Sequence, residues 1–333
     1  MHQSVHILGA GGIGVAVAEC LASAGWAVTM VEAHAQKTEA GRADGVTLDD
    51  LPARRLPFES FENWNPPPDT LVLLCTKTFD NLSILRRIRQ PEMLVPIQNG
   101  YDPHLENLDH PCEAIASFVS ACPANRPAAR ITRPGALHIG ARRTVNSGQR
   151  ERISELAHAL TGGGIIRVHC VEDVRPFKAT KLMYNAAISP LAASAGVDNA
   201  ELLTDGLARR LFFALLQENY RILKRSGHAL DRIGPFHPDT VMRILQTPLL
   251  PRIMGLFFQP SLRGTYCSMS PDIGSGRTEI DAYNGHLLRL AGASAAPINR
   301  AVVELVNSMS RDSLAPNRDY LKRIANQLSP GAW

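Results

Sequence analysis

The sequence predicts an α/β N-terminal domain built on a doubly wound parallel sheet, followed by an all-α C-terminal domain. Three observations carry this expectation. Strand and helix signals alternate over residues 5–100; a glycine-rich turn, "GAGGIG", separates the first strand from the first helix; and beyond residue 173 the hydrophobic pattern is almost purely helical. A chain of 333 residues is too long for one ordinary core. The boundary is placed near 172, giving domains 1–172 and 173–333.

Taken in order, "VHILGA" (5–10) is a buried strand and "GIGVAVAECLASAG" (12–25) a helix that ends at Gly25. "AVTMVE" (27–32) is the second strand, and "GVTL" (45–48) is short and edge-like. After three consecutive prolines, "TLVLLCTK" (70–77) is a continuous apolar run suited to the middle of a parallel sheet. A helix around 79–89 precedes "EMLVPIQNG" (92–100). From about 112 the strands lengthen and meander; a helix at about 149–161 and "IIRVHCVE" follow. Helical periodicity then covers 174–193, about 206–227, 238–246, 277–292 and 297–309, with an amphipathic tail after Pro316.

Composition excludes several classes. The net charge of +4 is small, and the arginine pairs (Arg54-Arg55, Arg86-Arg87, Arg142-Arg143, Arg209-Arg210) are scattered without interleaved aromatics. They are expected on solvated faces, and no nucleic-acid partner is expected. Six cysteines without CxxC spacing are expected as reduced thiols. Eleven histidines form no HExxH pair, so no metal is expected. The apolar start lacks a basic region and is interrupted by Glu19, unlike a signal peptide, and no apolar run reaches about 18 residues. The expectation is a cytoplasmic protein without a membrane partner.

"GAGGIG" supplies Gly9, Gly11, Gly12, Ile13 and Gly14 at a strand-to-helix turn, where free N–H groups and the helix dipole favour phosphate. Glu32 ends the second strand about 18 residues after Gly14, where a carboxylate hydrogen-bonds the adenosine ribose and repels a 2′-phosphate. A Rossmann-type dinucleotide site is therefore expected, with NAD(H) favoured over NADP(H). His34 and Lys37 follow closely enough to soften that preference. Asn99 ends a strand at the sheet's carboxyl edge, where ligands of such folds sit.

"KATKLMYNAAISP" (178–190) spaces Lys181, Asn185 and Ser189 four residues apart on a largely apolar helix. A solvated stripe is one explanation and a functional row the other. Lys178 shares nearly the same face, so helix geometry alone does not choose between the two lysines.

These segments, with "LLCTKTFD", "IQNG" and "SMSPDIGSGRTEIDAYNGHLL", occur in the order and spacing of ketopantoate reductases, also called 2-dehydropantoate 2-reductases. The sequence resembles that family from the first strand to "APINRAVVEL" (296–305). The resemblance implies NAD(P)H-dependent reduction of a 2-oxo acid to a 2-hydroxy acid, such as ketopantoate to pantoate in pantothenate biosynthesis. It places the catalytic lysine at Lys181, in the pattern K-L-x-x-N, and the catalytic glutamate at Glu279. It also implies substrate contacts from Asn99, Lys181, Asn185, Ser189 and Ser268, and cofactor contacts from Lys77 and Asn99. Glu32 and Ala33 stand where NADP-dependent members carry an arginine, and Ser189 replaces an asparagine. These departures suit an NAD-dependent (R)-2-hydroxy acid dehydrogenase of the same superfamily, acting on a branched or aromatic 2-oxo acid.

The chemistry agrees with the implied residues. Hydride transfer to a ketone builds charge on oxygen, and a partly desolvated lysine stabilises and protonates it. An opine-type enzyme would use a histidine dyad, for which no pattern is found. A non-catalytic dinucleotide-binding regulator is the alternative from another class, and the joint presence of Lys181, Glu279 and Asn99 speaks against it. A homodimer through the long C-terminal helices is possible on the same apolar pattern.

Overall fold

The computed structural model describes residues 3–247, 250–273 and 275–328. The chain separates into two compact units: one spans residues 1–99 and 103–174, the other residues 100–102 and 175–333.

The first unit opens with β1 (Ser4–Leu8), α1 (Gly12–Ser23), β2 (Ala27–Glu32), α2 (Ala35–Asp44), β3 (Thr47–Leu48), β4 (Phe58–Ser60) and β5 (Leu71–Leu74). It continues with α3 (Asn81–Leu85), β6 (Leu94–Pro96), α4 (Pro103–Glu106), β7 (Cys112–Ala116), β8 (Val119–Ala121), β9 (Ala128–Arg133), β10 (Ala136–Ala141), α5 (Ser147–Gly162) and β11 (Arg167–Asp173). A five-stranded sheet has the order β4-β2-β1-β5-β6, parallel at every pairing. Strand β1 lies at its centre, so successive crossovers leave in opposite directions and create a switch point between the ends of β1 and β5. Two three-stranded sheets, β11-β10-β7 and β3-β9-β8, accompany it. Apolar residues of β1, β2, α1 and α5 fill the main core of this unit.

Several sequence expectations are corrected. "GVTL" joins the separate β3-β9-β8 sheet, while the edge next to β2 is taken by β4, too short to show a period. Helix α2 carries too few apolar residues to announce itself. The helix expected over 79–89 shrinks to Asn81–Leu85 after a 3₁₀ turn. Three arginines expected on solvated faces do structural work. Arg54 forks onto the buried Glu19 of α1 at 2.6–2.9 Å, Arg142 pairs with Glu106 at 2.7 Å, and Arg87 donates to the Trp64 carbonyl at 2.8 Å.

The second unit holds α6 (Arg175–Ala195), α7 (Glu201–Thr204), α8 (Gly206–Arg225), α9 (Pro238–Gln246), α10 (Leu250–Leu262), a π-helical turn (Asp281–Gly285), α11 (His286–Ala291), α12 (Pro297–Asp312) and α13 (Asp319–Gln327). Helix α6 is central, packed against α8, α12 and α13. Helix α9 matches the periodicity expected over 238–246, and α10 is a further helix that the pattern did not announce. Pro260 lies inside α10, where it lacks the N–H that would reach the Leu256 carbonyl, and its presence obscured the helical period. The helix expected over 277–292 is split, its first part being the π-helical turn.

Two buried polar side chains of this unit, Asn284 and Glu218, join separate helices, although Asn284 Oδ1 is itself buried without a partner. Pro190 lies inside α6 and has no N–H for the Ala186 carbonyl one turn back. The Asn284 side-chain amide donates to that carbonyl at 2.8 Å instead, and also to Asn299 Oδ1 at 2.9 Å. Glu218 of α8 accepts from the backbone N–H groups of Ile298 and Asn299, capping α12 with a buried carboxylate.

Candidate functional site

In the first unit the glycine fingerprint sits at the switch point, and its glycines are needed for different reasons. Gly9 has φ +93°, and a Cβ there would approach Thr76 Cγ2 to 2.9 Å. A Cβ on Gly14 would fall 2.0 Å from the Gly9 carbonyl oxygen, and one on Gly12 would meet Ser120 Oγ at 2.2 Å. Gly11 differs. Its backbone is extended (φ −82°, ψ −172°), and a Cβ would meet nothing within 4 Å. Neither conformation nor packing requires glycine there, and the missing side chain leaves the backbone at the start of α1 open to a ligand. Gly11 also caps α1 without a side-chain hydrogen bond, and Ile13 lies partly buried in the first turn.

Glu32, at the end of β2, accepts from the Ala10 N–H at 2.9 Å and from the Ala33 and His34 N–H groups at 2.8 and 2.9 Å. The carboxylate is thereby fixed beside the glycine turn. His34 and Lys37 are drawn into structure. The His34 ring caps α2, and the buried Lys37 ammonium donates to the Ala10 carbonyl at 3.3 Å. Lys77 lies half-buried just beyond β5.

Asn99 follows β6, and its Oδ1 is buried with no hydrogen-bond partner. Sequence reasoning missed the neighbours that position it. Gln98 Nε2 donates to Asn81 Oδ1 at 2.8 Å and to the Thr76 carbonyl at 2.9 Å, while Asn81 Nδ2 returns a bond to Gln98 Oε1 at 3.1 Å. This reciprocal amide pair locks the loop after β5 to the strand end that carries Asn99. Gln98 in "IQNG" was the available signal.

An uncapped helix terminus, an open Gly11, a fixed Glu32 and an orphaned Asn99 acceptor together fit a dinucleotide with an amide-bearing ring. Among the described residues no group of three or more His, Cys, Asp or Glu is placed to hold a metal ion, and no helix is long and apolar enough to cross a membrane.

In the second unit α6 answers the question of its polar row. Phe177, Lys181, Tyr184, Asn185 and Ile188 form a strip left partly open, while the rest of the helix from Lys178 onward is buried. Lys181 and Asn185 therefore share an accessible face. Ser189 does not: it is 3% exposed, and its carbonyl accepts the Cys267 thiol at 3.3 Å. The two lysines are also separated. Lys178 is 5% exposed, with its ammonium 4.5 Å from the centre of the Tyr101 ring. Tyr101 also stacks on His286 at 4.4 Å and meets the His228 ring edge-on at 6.4 Å.

Two further segments are brought onto α6. The Cys267–Ser189 contact carries Ser268, and the Asn284–Ala186 bond carries the π-helical turn that follows Glu279. Glu279 is 3% exposed, which removes its alternative as an exposed helix start. The Tyr283 hydroxyl donates to Glu279 Oε2 at 3.2 Å and contacts Ser268 Oγ at 3.3 Å. Burial and the Glu279 charge raise the Tyr283 phenol well above its usual range, so it stays protonated and remains a donor. A π-helical turn beside such a cluster is common where a helix must present side chains out of regular phase. Gly100 packs here too: it has φ +77°, and a Cβ would fall 2.7 Å from the Tyr283 ring.

Residues 5–148 match the profile of "Ketopantoate reductase PanE/ApbA", and residues 173–310 that of "Ketopantoate reductase PanE/ApbA C terminal". A 2-dehydropantoate 2-reductase of Pyrococcus horikoshii is 24% identical over 317 residues, covering 92% of this chain and 97% of its own. Among solved structures, D-mandelate dehydrogenase in a ternary complex with NADH and anilino(oxo)acetate has a TM-score of 0.75 at 19% identity, covering 93% of this chain and 99% of that one. A PanE/ApbA family ketopantoate reductase from Ralstonia eutropha JMP134 has a TM-score of 0.73 at 22% identity, with 93% and 99% coverage. The chain belongs to the ketopantoate reductase family and is an NAD(P)-dependent oxidoreductase acting on a CH–OH group.

Proposed function

We propose that the protein reduces a 2-oxo acid to the 2-hydroxy acid, with ketopantoate as the first substrate to test and NADH as the favoured reductant. What supports this reading is that α6, which leaves Lys181 and Asn185 partly open, also receives through Ser189 and Ala186 the two segments that carry Ser268 and Glu279. The first unit is proposed as the dinucleotide domain and the second as the substrate and catalytic domain. Gly9, Gly11, Gly12, Ile13 and Gly14 would hold the pyrophosphate, Glu32 the adenosine ribose, and Lys77 and Asn99 the nicotinamide half.

When bound, the reduced nicotinamide supplies a hydride to the keto carbon. Lys181 hydrogen-bonds the keto oxygen and gives it a proton as negative charge develops. Asn185 and Ser268 hold the substrate's polar groups, with Ser189 supporting the Asn185 turn from its buried position. Glu279 orients the lysine or the nascent hydroxyl through a charge-assisted hydrogen bond.

A second reading, an NAD-dependent (R)-2-hydroxy acid dehydrogenase acting on a branched or aromatic 2-oxo acid, is favoured by the fixed Glu32 carboxylate and by the likeness to D-mandelate dehydrogenase. Initial rates with ketopantoate and with benzoylformate, each with NADH and NADPH, separate the readings. Turnover of neither 2-oxo acid by the wild type, with Lys181→Ala equally silent, would sink both and turn attention to a dinucleotide-binding regulator. A homodimer is proposed as well, to be read by sedimentation equilibrium.

A further inference from the structure

We infer that Tyr283 is a positioning residue for the reduction, its hydroxyl tying Glu279 to Ser268 so that the two present a fixed pair to the substrate. The inference rests on the reductase reading. Tyr283 is fully buried, and its ring is held against Gly100. A phenol has one proton. That proton is committed to Glu279 Oε2 at 3.2 Å, so towards Ser268, 3.3 Å away, the phenol oxygen acts as acceptor.

Both contacts are longer than the roughly 2.7–2.8 Å of a tight O–H···O bond. They are weak hydrogen bonds taken singly, and the burial of the ring adds to them by fixing where the hydroxyl lies. Nothing in the sequence pattern marks Tyr283 as different from its apolar neighbours. Its role emerges because Tyr283, one helical turn after Glu279 with its N–H on the Glu279 carbonyl at 3.1 Å, also faces Ser268.

The test is Tyr283→Phe, which removes the hydroxyl and keeps the ring, assayed alongside Ser268→Ala and the double variant. The measurements are NADH-dependent reduction of the better 2-oxo acid, NADH affinity by fluorescence quenching, and melting temperature. The expected result is a fall in kcat/KM of about ten- to hundredfold with NADH affinity unchanged. The double variant should fall short of the product of the two single losses, since the Tyr283–Ser268 link is lost in both singles. Wild-type rates in Tyr283→Phe, or losses that multiply in the double variant, would overturn the inference while leaving the reductase reading intact. Absence of turnover in the wild type would overturn that reading and this inference with it. Should Tyr283→Phe fail to fold, 3-fluorotyrosine at position 283 keeps shape and hydroxyl while changing its acidity. A changed kcat at constant NADH affinity then supports the role, and an unchanged kcat refutes it.

Discussion

Asn284 substitutes for a hydrogen bond that Pro190 cannot make, and this pairing predicts an unusual mutational pattern. In Asn284→Ala the Ala186 carbonyl loses its side-chain donor and, because residue 190 has no N–H, gains no donor one turn on. A buried acceptor left unpaired costs about 1–3 kcal/mol, and loss of the bond to Asn299 Oδ1 adds about 1 kcal/mol. The expected destabilisation is about 2–4 kcal/mol, a fall of roughly 5–15 °C in Tm at about 2–4 °C per kcal/mol. Pro190→Ala alone should be close to neutral, because a carbonyl accepts two hydrogen bonds. The informative variant is Asn284→Ala with Pro190→Ala, in which the new N–H at 190 reaches the Ala186 carbonyl. It should recover about half the loss. Urea titrations followed by circular dichroism give the cycle, provided all four proteins share one m-value. Strictly additive losses would refute the substitution argument and leave Asn284 as an ordinary packing residue.

Further outcomes follow from the same geometry. Gly11→Ala should fold with unchanged Tm yet bind NADH at least tenfold more weakly, whereas Gly14→Ala should lose stability because its Cβ meets the Gly9 carbonyl; calorimetry and fluorescence titration distinguish them. Glu32→Gln should weaken NADH and improve NADPH, read as a shift in the ratio of their kcat/KM values. Lys181→Ala should reduce kcat by about 10²–10⁴-fold, whereas Lys178→Met should act mainly on Tm. His286 is lowered to about 4 by burial, then by Arg289, His228 and Lys178, from an ordinary 6.5. Between these values the unfolded chain binds the extra proton, so stability is full above pH 6.5 and falls towards pH 4 at about 1.4 kcal/mol per unit. His6, also lowered by burial, acts in the same direction. The His286→Phe variant should flatten its own share of that slope in pH-dependent urea titrations, and an unchanged slope would refute it.

How far the molecule was legible depended on how local each cause was. Strands β1, β2 and β5 and the helices near 206–225, 238–246 and 297–312 declare themselves because burial imposes a period on neighbouring residues. Edge strand β4 and polar helix α2 are held by contacts distant in sequence, and left no such trace. At the site, spacing put Lys181 and Asn185 on one face. It could not show that Ser189 turns under Cys267, nor that Lys178 is taken up by Tyr101, because both outcomes are set by residues some 80 positions away. Glu279 was recognised from its surrounding pattern, whereas its burial and its link through Tyr283 are tertiary facts. Gln98 and Asn81 escaped notice because a reciprocal amide pair has no period at all.

Gly11 has a consequence for how variation in this protein would be scored. A survey of single substitutions that measures abundance in cells reports damage to folding, and would penalise Gly9 and Gly14 while passing changes at Gly11 unnoticed. A survey that measures growth dependent on formation of the reaction product would penalise all three. The positions at which the two maps disagree would outline the footprint of the bound molecule without any structure of the complex, and Gly11 is where that outline should begin.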